Sequence, residues 1–157
     1  MPALTTYRTH VQANWVDYNG HLRDAFYLLI FSYATDALME VLGMETRNRD
    51  GTGHSLFTLE CHINYLHEVK LDAAVEVHTH LIGHDRKRLH VFHSLHLADA
   101  DEVLAGSEQM LLNVDLTGPR SAVFAEHVTQ KLAEIVATQK DLERPQWLGR
   151  VIGLPGK

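Results

Sequence analysis

Asp17-Tyr18-Asn19-Gly20-His21 gathers a carboxylate, an amide, a glycine and an imidazole within five residues, just ahead of a long apolar run. A helix N-terminus collects unpaired backbone N–H groups and positive partial charge, so it suits an anion or a developing oxyanion. A carboxylate held beside such donors can act on an acyl group, as general base for water or as nucleophile. Gly20 lets the backbone come close to a reacting group because it has no Cβ. Asn19 is suited to orienting a water or holding the acyl oxygen, and His21 to bonding Asp17 or protonating a leaving group. The same residue types are also ordinary turn formers, so the pattern needs a fold behind it. Glu60, with His62 two residues on, is a second carboxylate candidate, and Ser32, Asp36 and Glu40 make a polar stripe that a helix would align.

The elements around these residues follow from periodicity. Tyr7 to Trp15 reads as a first strand, broken by Gly20. Asp24 to Leu42 is apolar on nearly all sides, as expected of a helix buried inside a protein, with Asp24 as N-cap and Gly43 as its stop. Arg47 to Gly53 is a loop. Period-two alternation marks strands over Ser55–Leu66, Ala74–Gly83, Leu89–Leu97 and Val103–Leu116. In the first of them Phe57, Leu59, Cys61, Ile63 and Tyr65 share one face. Hairpin tips fall at Asp85-Arg86-Lys87 and Ala98–Asp101, and parity of facing residues requires the first hairpin to be centred on Asp85 or Arg86. Residues 121–142 form an amphipathic helix with Phe124, Val128, Leu132, Ile135 and Val136 on one side. The chain thus reads as a single domain over 1–142, with an irregular tail over 143–157 that Trp147 and Leu148 pin down. Strand, buried helix, four antiparallel strands and a peripheral helix make an α+β fold, an antiparallel sheet wrapped around one central helix.

The chain has 157 residues and a formal net charge of −6, which excludes the basic field of a nucleic-acid binder. Cys61 is the single cysteine, so no internal disulfide forms and no paired thiolates serve a zinc site; a reducing, cytoplasmic setting is expected. The N-terminal residues lack the apolar core of a signal peptide, and the longest uncharged run is too short to span a membrane. Neighbouring strand residues point to opposite faces, so His62 cannot readily activate Cys61. No Gly-x-Ser-x-Gly elbow or dinucleotide fingerprint is present. His78, His80, His90 and His96 share a sheet face, but few carboxylates accompany them at ligand spacing, so a surface or interface is expected rather than metal.

With these elements in place, the Asp-x-x-Gly-His pattern of residues 17–21 before the central helix resembles the 4-hydroxybenzoyl-CoA type of hotdog thioesterase over residues 7 to 117, although Leu22-Arg23-Asp24 replaces the usual Val-Asn-Asn. Together with Ala34-Thr35-Asp36-Ala37-Leu38, Glu60-x-His62, Lys87-Arg88-Leu89-His90 and Gln109-Met110-Leu111-Leu112, the pattern is similar to the betainyl-CoA thioesterases of bacterial carnitine breakdown. The resemblance implies cofactor-free, metal-free hydrolysis of a short acyl-CoA thioester, with Asp17 as base or nucleophile and amides near Gly20 and His21 as the oxyanion site. It also implies a homodimer or homotetramer with the site at the subunit boundary. The CoA phosphates need cations, for which Arg86, Lys87 and Arg88, or Arg47 and Arg49, are candidates. A trimethylammonium group would want aromatic walls, for which Trp15, Tyr18, Phe26 and Tyr65 are candidates. The same fold also hosts acyl-thioester hydratases and dehydratases, and a non-catalytic acyl-CoA binding module is a further alternative.

Overall fold

In the computed structural model, which describes residues 4–44 and 53–156, the alternating segments assemble into one antiparallel sheet. Its strands are β1 (Leu4–His10), β2 (His54–Tyr65), β3 (Ala74–His84), β4 (Arg88–Leu97), β5 (Ala105–Asp115) and a two-residue β6 (Arg120–Ser121). The order across the sheet is β1-β3-β4-β5-β2, with β6 on β5. Helix α1 (Asp24–Val41) lies on the inner face, and α2 (Glu126–Gln139) follows the sheet. The expected loop over Arg47–Gly53 lies, apart from Gly53, outside the described residues.

Two apolar clusters hold α1 to the sheet. Ile30, Phe31 and Ala34 meet Val75, Val77, Leu95 and Ala105. Leu38, Met39 and Leu42 meet Leu89, Val91 and Leu111, and this second cluster also takes Phe124, Val128, Leu132 and Ile135 from α2 and its approach. Gly43 ends α1 at φ +73°, and the Met44 N–H returns to the Met39 carbonyl, the left-handed helix stop that glycine favours. The centre of the core is polar. His93 is fully buried, with Nδ1 2.8 Å from Thr79 Oγ1 and Nε2 3.0 Å from Thr35 Oγ1. Thr35 donates its one hydroxyl proton to the Phe31 carbonyl, so it accepts from His93 Nε2–H, and Thr79 donates to Nδ1. Burial pushes the His93 pKa down to about 3, and the ring is neutral.

Several expectations need correction. The first strand does not run to Trp15: it ends at His10, and Ala13–Trp15 is a 3-10 turn closed by the Trp15 N–H on the Gln12 carbonyl. Arg23, not Asp24, is the N-cap of α1; Asp24 is the first helical residue and its carboxylate accepts the Ala25 N–H at 2.8 Å. The helix is not buried all round, because the sheet covers one side and leaves Leu28, Ser32, Tyr33, Asp36 and Glu40 exposed. A bulge in β2 between Thr58 and Glu60 breaks the expected common face: Phe57, opposite Leu112, lies on the outer side, while Cys61, Ile63 and Tyr65 face inward. The β3–β4 hairpin keeps its apolar faces aligned, pairing Val77 with Leu95 and Val75 with Leu97, and a bulge between Leu81 and Gly83 absorbs the odd residue near the tip. The C-terminal helix spans 126–139 rather than 121–142, since Ser121 pairs with Val114 as a strand. Val136 points outward instead of into the core.

Candidate active site

The turn that joins the 3-10 segment to α1 is built around Asp17. Val16 and Leu22 form an antiparallel bridge, the Asp17 N–H donates to the His21 carbonyl (2.9 Å), and the Gly20 N–H donates to the Asp17 carbonyl (2.9 Å). Gly20 sits at φ +76°, which closes the turn without the strain a Cβ would bring. Asp17 Oδ1 accepts the N–H groups of Asn19 (2.9 Å) and His21 (3.2 Å). The turn is docked onto the segment after β2: His21 bridges to Lys70, the Leu22 N–H reaches the Val69 carbonyl and the Leu71 N–H reaches the Gly20 carbonyl. Among the described residues, nothing donates to Asp17 Oδ2. The His21 N–H lowers the Asp17 pKa, with further help from Asn19 and from the charges of His21 and Arg23, so the carboxylate is ionised at neutral pH.

This geometry alters two expected roles. The N–H groups of Gly20 and His21 are occupied inside the turn and are not open to an oxyanion, because Asp17 takes them through its carbonyl and carboxylate. The His21 ring does not bond Asp17; its Nε2 lies 3.3 Å from Glu68 Oε2. The Asn19 side chain is exposed and makes no hydrogen bond among the described residues. Glu68 and Lys70 did not stand out in the sequence, since nothing in an exposed acid or lysine marks it as the neighbour of a turn fifty residues earlier.

The aromatic candidates divide. Trp15 belongs to the core, stacked on Phe26 at 6.2 Å between ring centres, so it does not wall an open site in this chain. Tyr18 is 93% exposed at the tip of the turn. Tyr65, half-exposed, packs edge-on against Tyr27 at 5.0 Å and donates its hydroxyl to the Asp24 carbonyl, which ties the end of β2 to the start of α1. Tyr27 donates to the His67 carbonyl at 3.1 Å.

The remaining candidates lie elsewhere. Glu60 and His62 stand on the outer face of β2, beside a groove of about 340 Å³ that includes His90, Glu108 and Gly149, and are not joined to Asp17 within this chain. Arg86, Lys87 and Arg88 border another groove at the β3–β4 tip with Leu59, Leu112 and Ser121. Arg88 is paired with Asp85 at 2.6 Å, whereas Arg86 is exposed. Arg47 and Arg49 lie outside the described residues. His78, His80, His90 and His96 do share the outer face; His78 stacks on His96 at 4.1 Å, and His90 bonds Glu108 at 2.7 Å. Among the described residues, no group of three or more His, Cys, Asp or Glu is arranged to hold a metal ion, and no helix is long and apolar enough to cross a membrane. That outer face is partly covered by the chain's own tail, which the sequence did not reveal. Leu142, Pro145 and Trp147 border a cleft of about 540 Å³ over Phe92 and His80.

Known proteins resemble this chain over most of its length. Residues 11–132 match the family described as the thioesterase-like superfamily. A betainyl-CoA thioesterase of Pseudomonas aeruginosa is 61% identical over 152 residues, covering 97% of this chain and 96% of that protein. An L-carnitine dehydrogenase/betainyl-CoA thioesterase of Rhizobium meliloti is 39% identical over 92% of this chain, which spans 29% of that longer protein. A Staphylococcus aureus protein solved in complex with CoA superposes with a TM-score of 0.87 at 29% identity, over 99% of this chain and 98% of that one. The chain therefore belongs to the thioesterase-like superfamily and is a thioesterase of the hotdog fold.

Proposed function

We propose that the protein hydrolyses an acyl-CoA thioester, with betainyl-CoA as its substrate, giving the free acid and CoA. The observation that carries the substrate is the 61% identity, nearly end to end, to a betainyl-CoA thioesterase; the CoA-bound relative supports the thiol half. Asp17 is the reacting carboxylate. Its Oδ1 is engaged by two backbone N–H groups, which hold the side chain in place, while Oδ2 of the ionised carboxylate has no donor among the described residues. Oδ2 takes a proton from water as that water attacks the thioester carbonyl, or attacks the carbonyl itself to form a mixed anhydride that water then opens. In either route the C–S bond breaks and the sulfur leaves as thiolate, to be protonated. Asn19 holds the water or the thioester oxygen.

The working unit of this reading is a dimer paired through the β2 edges. A CoA thioester needs both the Asp17 turn and a cationic phosphate site. In one chain the Asp17 turn docks beside Lys70, just before β3, while Arg86–Arg88 follow its far end, and the eleven residues of β3 span about 36 Å. Antiparallel pairing of two β2 edges would set the arginine tip of one copy toward the Asp17 turn of the other. It would also cover a twelve-residue edge whose backbone otherwise invites other strands.

The test is free-thiol release from a panel of betainyl-, acetyl- and butyryl-CoA. A kcat/KM for betainyl-CoA at least tenfold above the others is expected. No thiol release from any of them would refute the thioester reading, and no preference would refute the quaternary ammonium substrate. Single turnover in 18O-water that puts label into Asp17 would establish the anhydride route, because water opening the anhydride at the aspartyl carbon leaves its oxygen on that side chain.

A further inference from the structure

Beyond α2 the chain crosses the outer face of the sheet strand by strand. Arg144 lies with His80 of β3, and Trp147 shares a cleft with Phe92 of β4. The Gly149 N–H donates to Glu108 Oε1 of β5 at 2.7 Å, and Val151 borders the groove of Glu60 and His62 on β2. This is the order of the sheet itself. Strands lie about 4.8 Å apart, so the seven steps from Arg144 to Val151 cover three spacings, roughly 14 Å. The exit point is fixed, because the other oxygen of Glu108 is held by His90 at 2.7 Å.

β2 is the last strand, so continuing this course would carry the residues after Val151 past the chain's own sheet. They are apolar and bare: Val151, Ile152 and Leu154 are 86%, 88% and 97% exposed. On the outer side of β2, Phe57 and Leu59 are 45% and 56% exposed. A strand edge unpaired among the described residues, an aliphatic arm on a course past it and exposed apolar side chains next to it are self-complementary under a two-fold axis, where each copy gives and receives the same contact.

We propose that Arg150–Gly156 is a clasp that crosses the β2 edge and lies on the outer face of a second copy of this chain, beside its Phe57 and Leu59. The proposal rests on the dimer reading above. Its test is the full-length triple variant V151D/I152D/L154D, whose altered side chains are 86%, 88% and 97% exposed within one subunit. Burying one such aliphatic side chain is worth about tenfold or more in an equilibrium constant, so three exceed about a hundredfold. Sedimentation velocity over a dilution series, with subunit exchange between labelled copies, should show the dissociation constant raised at least a hundredfold at unchanged circular dichroism. A native dimer whose variant associates and exchanges just as the native chain does would overturn the clasp and leave the dimer reading standing. A native chain that is monomeric throughout would overturn both. A variant that falls only from tetramer to dimer would put the arm on another interface and overturn its course across β2.

Discussion

Lowering the pH should destabilise this protein, with a measurable share coming from one buried side chain. His93 is fully buried between Thr79 and Thr35, and its folded pKa is about 3 against 6.5 for the free side chain. The unfolded chain therefore takes up a proton below pH 6.5 that the folded chain refuses until about pH 3. Stability from this residue is complete above 6.5 and is lost as pH falls between those values, at about 1.4 kcal/mol per pH unit once well below 6.5. From pH 7.5 to pH 5 the loss is about 2 kcal/mol. His80 and His96, also lowered by burial, add to the native slope, so the measurement must be a difference. Urea unfolding at one protein concentration, at pH 7.5, 6 and 5, compares the native chain with His93→Gln, whose amide can still donate and accept. The variant should be less stable at pH 7.5, and the gap should shrink by about 2 kcal/mol by pH 5. Parallel losses in the two proteins would show that His93 does not titrate as argued.

Asp17→Asn keeps an Oδ1 able to accept from Asn19 and His21, so it should fold with a near-native melting temperature while thiol release falls by about 10²–10⁴-fold; Asp17→Ala, which loses both bonds, should melt lower than the asparagine variant in the same scan. A Cβ at Gly106 would stand 2.5 Å from Phe92 Cζ, so Gly106→Ala should cost about 1–3 kcal/mol in denaturant titration, recovered in part by Phe92→Leu. Gln139→Leu leaves the buried Leu81 N–H and Thr79 carbonyl without their partner and should cost at least ~2 kcal/mol by the same measurement, whereas Thr138→Leu one residue earlier should cost less.

Much of the architecture was legible because it is carried by repeated side-chain chemistry. The run from Ala25 to Met39 specifies α1, Gly43 specifies its stop, and the alternation around Val75, Val77, Leu89, Val91 and Leu95 specifies the inner face of the β3–β4 hairpin. The failures have a common physical origin. The β2 bulge at Leu59 is a backbone event with no residue signature, and it sends Phe57 to the opposite side from Cys61. The Asp17 turn uses the amides of Gly20 and His21 for itself, which the residue types do not disclose. Trp15 looked like a wall of the site by its proximity in sequence, but a large apolar side chain next to Val11 and Phe26 finds the core first. The strap after Pro145 carries no periodicity, and its course is dictated by single contacts such as Gly149 to Glu108.

The pairing of Gln139 with β3 has a wider consequence. The last described β1 partner on β3 is Leu4, opposite Thr79; beyond it, the Gln139 amide accepts the Leu81 N–H and donates to the Thr79 carbonyl, as a neighbouring strand would. The end of a helix thus imitates one residue of sheet. That imitation denies stray polypeptide a template at this point of β3, and of the two outermost strands the twelve-residue β2 offers a longer margin than the seven-residue β1.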